Sequence, residues 1–288
     1  MILAATSSRC IRSLRPRSQA QNKQIGRSLP AIELRGACIG ELVTLYIHTD
    51  EPLAVAAVDA IHTGDLPALK RLLAENPGLA QVRLGDNEPG GMSRTLLHVA
   101  TDWPGHFPNG AATVAVLIEA GAEVNARFSG PHTETPLHWA ASNDDVEVLD
   151  ALLDAGADIE ASGAVIGGGT PLADARAFKQ WRAAHRLVER GAQVTLTDAA
   201  TLGLMDHIKD FFASDTPPTT EEITGAFWGA CHGGQQRAAE YLLDRGADMN
   251  WIPGWERLTP LDAAQRNNSR DLVDWLRGQG AKQADELD

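Results

Sequence analysis

Residues 135–141 read Thr-Pro-Leu-His-Trp-Ala-Ala, and the phrase returns along the chain. Residues 95–100 read Thr-Leu-Leu-His-Val-Ala, residues 170–173 Thr-Pro-Leu-Ala, and residues 259–264 Thr-Pro-Leu-Asp-Ala-Ala. After a second apolar stripe each copy closes on Gly-Ala, at Gly121-Ala122, Gly156-Ala157, Gly191-Ala192 and Gly280-Ala281; Gly246-Ala247 ends a weaker copy. The step from Gly121 to Gly156 is 35 residues, from Gly156 to Gly191 again 35, and from Gly246 to Gly280 it is 34. A period in this range marks a solenoid built from one supersecondary unit.

The unit can be derived from residues 135–161. Thr135 suits an N-cap, because its hydroxyl can satisfy a free amide of the first turn. Pro136 suits the first helical position, where no amide donor is missed. Ala140 and Ala141 keep one helix face thin enough for close approach of a neighbour. Ser142-Asn143-Asp144 breaks the helix, and Val148, Leu149, Leu152 and Leu153 place an apolar stripe on a second one. Gly156 can take the left-handed conformation that ends it. The spacing predicts helix, tight turn, helix, loop. Neither helix can bury its apolar face alone, and stacking of units solves that.

These residues resemble the ankyrin repeat family: the Thr-Pro-Leu-His phrase, the paired alanines, the leucine pair and the Gly-Ala-Asp close. The resemblance covers residues 95–281 clearly and about 51–80 by a weaker pattern. It implies an all-α solenoid of L-shaped units with short β-hairpin or loop fingers and a concave groove lined by the first helices. It also implies protein binding without catalysis, and a structural role for the motif histidines, hydrogen-bonding within and between repeats.

About seven units are expected, at 51–80, 92–126, 132–161, 167–194, 197–215, 220–250 and 256–287, forming one repeat domain over 51–288. In the last, Arg270 and Arg277 replace apolar residues, as a cap facing water requires. Departures from the repeat carry more information than matches. Five extra residues separate the helices of the second unit, in Trp103-Pro-Gly-His-Phe-Pro-Asn-Gly110. An enlarged turn bearing aromatics is a candidate contact site, since loops carry function and exposed aromatics anchor interfaces. The alternative is that Trp103 and Phe107 fold back onto the solenoid. Ser162 to Gly169 is a long glycine-rich finger. A phosphate-cradling reading of it fails, because no βαβ unit surrounds it. The finger between the fourth and fifth units is short or absent, and Asp215-Thr-Pro-Pro-Thr219 forces a further break.

The net charge of −13 over 288 residues is uneven. Residues 1–32 hold six Lys or Arg and no acid, so they carry +6 and residues 33–288 carry −19. An acidic array disfavours a phosphate backbone and favours a basic or neutral protein surface. Residues 1–50 read as a basic disordered tail or start-site extension with a short ordered lead-in; a transit peptide is the alternative. Residues 42–47, Leu-Val-Thr-Leu-Tyr-Ile, suit a short strand or early helix packing on the first unit. No stretch reaches the roughly 20 apolar residues that span a bilayer. Cys10, Cys38 and Cys231 form no metal or redox motif and suit a reducing, cytoplasmic compartment; a transit peptide would make it organellar. Cys231 takes the second alanine position of the sixth unit, a small buried role.

Chemistry is not indicated. His98 and His138 are equivalent in adjacent units, where stacked helices lie roughly 8–10 Å apart, too far to share a zinc ion at about 2 Å from each nitrogen. There is no nucleophile elbow, no Cys with matched His spacing and no His-Glu-x-x-His. The expected protein is a non-enzymatic, monomeric binding scaffold without cofactor, metal or catalytic residues, recognising a protein partner rather than nucleic acid or membrane. Groove candidates follow the paired alanines: Ser142 and Asn143, Phe178, His232, Arg266 and Asn267. Loop and finger candidates are Trp103, His106, Phe107, Arg127, Phe128, His132, Trp251 and Trp255. Trp139, and Trp228 in the motif-histidine place, are expected in the core. Two other functions stay open: an enzyme or small-molecule binder using a pocket at 103–110, and a constitutive structural or chaperone-like subunit.

Overall fold

A computed structural model describes residues 45–85 and 91–287. The basic segment, most of the lead-in, Cys10 and Cys38 lie outside the described residues. Within them the helices run in seven consecutive pairs, as the period predicts. The pairs are α1 (Pro52–Thr63) with α2 (Leu66–Glu75), α3 (Leu96–Ala100) with α4 (Gly110–Glu119), and α5 (Pro136–Ser142) with α6 (Val146–Asp154). Next come α7 (Pro171–Ala177) with α8 (Trp181–Glu189), and α9 (Leu196–Leu202) with α10 (Met205–Ala213). The last are α11 (Thr220–Gly233) with α12 (Gln236–Leu243), and α13 (Pro260–Arg266) with α14 (Arg270–Gly278). The fold is therefore the all-α repeat solenoid expected, but its contacts divide it into two compact units, residues 1–169 and 170–288.

In the first unit the local signals act as read. Thr135 is extended at the N-cap of α5 and Pro136 opens the helix. Asp145 caps α6 by accepting from the Val148 amide at 3.3 Å, and Gly156 ends that repeat at φ 90°. Leu69, Leu97, Leu117, Leu137, Leu149 and Leu152 are fully buried, and Ala140 and Ala141 let helices approach without a gap. A small sheet precedes the second pair. The lead-in forms β1 (Tyr46–Ile47), parallel to β2 (Arg83–Gly85), which pairs antiparallel with β3 (Ser93–Thr95). Arg83 staples it: Nε donates to Ser93 Oγ at 2.8 Å, and Nη2 donates to the carbonyls of Ser93 and Arg127 at 2.8 and 2.7 Å. The finger after α6 closes with the Gly163 amide on Gly168 O at 2.9 Å and the Ala164 amide on Gly169 O at 3.0 Å.

The second unit departs further from the repeat. Only residues 190–195 connect α8 to α9, with no strand between. The sixth pair begins with a 14-residue helix, twice the length of α13, started by a capping box of Thr219 and Glu222. Gly225, Gly229 and Gly233 recur every fourth residue along it. A Cβ at Gly229 would meet Thr201 Oγ1 at 2.6 Å, and one at Gly233 would meet Thr201 O at 1.9 Å. The two glycines thus bring α11 against α9 closer than any side chain allows. Around this contact pack Phe227, Cys231, Ile208, Leu242 and Leu261. Arg270 and Arg277 are exposed on the last helix, and the Ala284 amide donates to Asp262 Oδ2 at 3.0 Å, which closes the chain end onto α13.

Two stability measurements check this packing. Leu152→Ala is expected to lower the unfolding free energy by about 2–5 kcal/mol in a urea titration; a change near zero is inconsistent with a buried stacking leucine. Gly233→Ala is expected to cost about 1–3 kcal/mol by overpacking. Gly225→Ala, with nothing within 4 Å of its Cβ, is expected to be neutral or up to about 1 kcal/mol stabilising through helix propensity.

Candidate functional site

The recurring histidines are latches. His98 Nδ1 accepts from Thr95 Oγ1 at 2.9 Å, while its Nε2–H donates to Glu134 O at 3.1 Å. His138 repeats this with Thr135 Oγ1 at 2.9 Å and Gly169 O at 3.3 Å. Each carbonyl belongs to the residue just before the threonine of the following repeat. In the second unit Trp228 holds the histidine place, and its Nε1–H donates to Leu258 O at 3.0 Å, the residue before Thr259. Trp228 thus replaces the latch as well as the side chain. Its burial fits the core role expected of it.

The enlarged loop of the second repeat is anchored on both sides within the first unit. Asn109 Nδ2 donates to Gly64 O at 2.9 Å, and the Phe107 ring stacks on His62 at 4.3 Å. In the other direction the His106 amide donates to Asp145 Oδ2 at 2.8 Å, and His106 Nε2 donates to Asn143 O at 3.0 Å. Gly64 sits at φ 66°, and a Cβ there would meet Pro108 O at 2.2 Å, so this backbone approach requires glycine. The two aromatics part company. Phe107 folds back and is half-buried, whereas Trp103 stays 62% exposed. Asn143, expected at the groove, gives its amide to Thr101 O at 2.8 Å and so holds the loop.

In the second unit the finger tryptophans join a row of rings that the sequence does not show as one feature. Trp251 meets Trp255 at 5.7 Å, Trp255 meets Trp228 at 6.0 Å, Trp228 stacks on His232 at 5.4 Å, and His232 meets Trp181 at 5.9 Å. Trp255 is 62% exposed and Trp251 partly so. His232 is buried beneath the row, with Nε2–H donating to Arg176 O at 3.2 Å and Nδ1 accepting from Arg266 Nη2 at 3.1 Å. Arg266 is forked on Glu256 at 2.7 and 3.2 Å. His232 and Arg266 therefore support the row. The five ring residues come from three segments, at 181, 228–232 and 251–255; sequence position marked Trp251, Trp255 and His232 singly, but not their meeting with Trp228 and Trp181.

The other candidates have varied surroundings. Arg127 lies at the finger, but its guanidinium donates to the carbonyls of Thr133 and Ser162, which braces neighbouring fingers. Phe128 is half-buried against Trp139 at 5.5 Å. His132 is exposed at the finger tip. Ser142 donates to Trp139 O at 3.0 Å. Phe178 and Asn267 are half-buried C-cap residues of α7 and α13.

Burial dominates the electrostatics. It lowers His98 to about 3 and His138 and His232 to about 4, against the carbonyl hydrogen bonds that raise them. Burial pushes the Glu134 carboxyl up to about 7, against a side-chain hydrogen bond from Trp139. It also pushes the Cys231 thiol up. Among the described residues no three His, Cys, Asp or Glu side chains are grouped to hold a metal ion. No helix of the described residues is long and apolar enough to cross a membrane.

Comparison with known proteins agrees with this geometry. Residues 109–198 match the family of ankyrin repeats (3 copies). The chain is 29% identical over 186 residues to an ankyrin repeat and KH domain-containing protein of Caenorhabditis briggsae. That alignment covers 62% of this chain and 7% of the relative, so the chain spans a small part of the length of that protein. Both findings place ankyrin repeats in this chain, over residues 109–198 for the family match. Ankyrin repeats are generally protein–protein interaction modules, and the family is typically non-enzymatic.

The buried histidines make stability depend on pH. The three histidines have folded pKa values below the ordinary 6.5. The unfolded chain therefore binds more protons, and stability present above pH 6.5 is lost as pH falls towards 3–4. Glu134 works oppositely: its value is raised from 4.5, so its contribution is full below pH 4.5 and is lost as pH rises through about 7. Glu134→Gln removes the opposing group. The variant is expected to be more stable than the parent at pH 8 and to lose more stability between pH 7 and pH 5, by urea midpoints. An unchanged slope places the carboxyl in water.

Proposed function

We propose that this protein is a non-enzymatic scaffold that binds a protein partner, with the Trp103 loop of the first unit and the tryptophan row of the second unit as contact surfaces. The observation that carries the reading is the pair of tryptophans, Trp103 and Trp255, each 62% exposed on anchored backbone. Exposed tryptophans on a preordered surface are the side chains most enriched among interface anchors. Preordering lowers the entropy lost on association. The polar groups around Trp103 also favour binding over chemistry. His106, Asn143 and Asp145 are engaged with one another and with the backbone, so they position the loop and do not converge on a reacting atom.

The reading is tested by capture. The immobilised chain and a Trp103→Ala/Trp255→Ala variant are compared for retained proteins by quantitative mass spectrometry, with circular dichroism confirming the fold. The double variant is expected to lose one or more proteins by about tenfold or more, the effect of hot-spot truncation. Identical capture by both chains sinks the assignment of these surfaces.

A further inference from the structure

The fourth helix pair reverses the charge of the chain around it. Residues 170–194 hold Arg176, Lys179, Arg182, Arg186 and Arg190 against Asp174 and Glu189, a balance of +3 in a chain of −13. Asp174 is fully buried. Arg176 Nε pairs with Asp198 at 2.8 Å, and Arg186 with Glu189 at 2.9 Å.

Lys179 lies at the edge of the ring row. It occupies the turn between α7 and α8, next to Phe178 and two residues before Trp181, with φ 62°. Its ammonium is held below the usual lysine range, first by partial burial and then by Arg266, with Glu256 acting in the other sense. Glu256 is forked on Arg266 and so already neutralises one cation. Lys179 therefore adds positive charge to an aromatic surface inside an otherwise acidic protein. The rings beside it are fixed in advance, packed at 5.4 to 6.0 Å centroid separations and tied down through Trp228 Nε1 on Leu258 O.

We propose that the tryptophan row of the second unit, with Lys179 at its edge, docks an extended acidic peptide segment of a protein partner. Apolar or aromatic side chains of the peptide lie on Trp255 and Trp251, and a carboxylate of it faces Lys179. This rests on the protein-binding reading above and fixes the chemistry of the segment bound. It also reverses the basic or neutral partner expected from net charge, because the charge at this surface differs in sign from the chain average. A nucleic acid fits less well. Its continuous phosphate charge meets −19 over residues 33–288, whereas a peptide can place a carboxylate beside Lys179 alone.

The test is fluorescence anisotropy on the full chain with three dye-labelled probes: a peptide of alternating Asp and Phe, the same peptide with Lys for Asp, and an oligouridylate. The acidic peptide is expected to bind most tightly and to weaken as salt rises, since exposed charge pairs are screened. Lys179→Gln and Trp255→Ala are each expected to raise its Kd by about tenfold, and Trp103→Ala to leave it unchanged, all with native circular dichroism. Tighter binding of the Lys peptide or of oligouridylate overturns the proposal. So does a Kd for the acidic peptide that neither Lys179→Gln nor Trp255→Ala moves, or no binding of that peptide. In that last case, partner capture that still depends on Trp255 leaves the protein-binding reading standing while the acidic specificity falls.

Discussion

A donor in the first turn of one repeat reaches the carbonyl just ahead of the next, and the stacking depends on that bond. His98 and His138 make it from Nε2, while Nδ1 is fixed by the capping threonine of the same helix. One neutral imidazole thus caps its own helix and fixes the entry of the following one. The role requires an uncharged ring with a defined tautomer, and burial enforces that by disfavouring the imidazolium. Trp228 shows which property is essential: its indole keeps the donor to the next repeat and drops the acceptor to its own cap. That cap is instead supplied upstream by Thr219 and Glu222, on a longer helix.

Between latches, the helices pack through missing atoms. Paired alanines at 140–141, 199–200 and 263–264 are all buried. In the second unit the principle goes further, where Gly229 and Gly233 let α11 ride on the backbone of Thr201. Thin faces permit close approach, and the leucines on the second helices fill what remains. Two tryptophans stay exposed where the repeat is interrupted. Trp103 stands on an inserted turn that Asn109, His106 and Phe107 tie down, and Trp255 on a finger backed by Trp228.

Much of this was legible beforehand because it is local. The Thr-Pro start, the alanine pair, the leucine pair and the Gly-Ala close each act within one helix or turn, and their spacing repeats. The enlarged loop and the lost finger near 195 were equally visible as an insertion and a deletion, and the lead-in as an apolar run that left strand or helix open. The glycine stripe of α11 was not, because its meaning depends on which helix lies opposite. Nor could the sequence separate Trp103 from Phe107, two aromatics four residues apart in one loop. Only His62, 45 residues upstream of Phe107, distinguishes them, by offering a ring face to one and not to the other.

By itself, then, the sequence determined the repeat, the bounds of its seven copies and the side chains that stack, since periodic burial is written residue by residue. Tertiary structure alone decided which polar and aromatic residues stay exposed. Asn143, Arg127 and His232 occupy positions where a repeat can expose side chains, yet here their hydrogen-bonding groups are taken by Thr101, Ser162 and Arg176. The row of Trp251, Trp255, Trp228, His232 and Trp181 arises only when three segments come together. Lys179 at its edge carries a charge opposite in sign to the net charge of the chain. Hydrogen bonds, ring contacts and local fields act over a few ångströms in space, and separation along the chain does not reveal them.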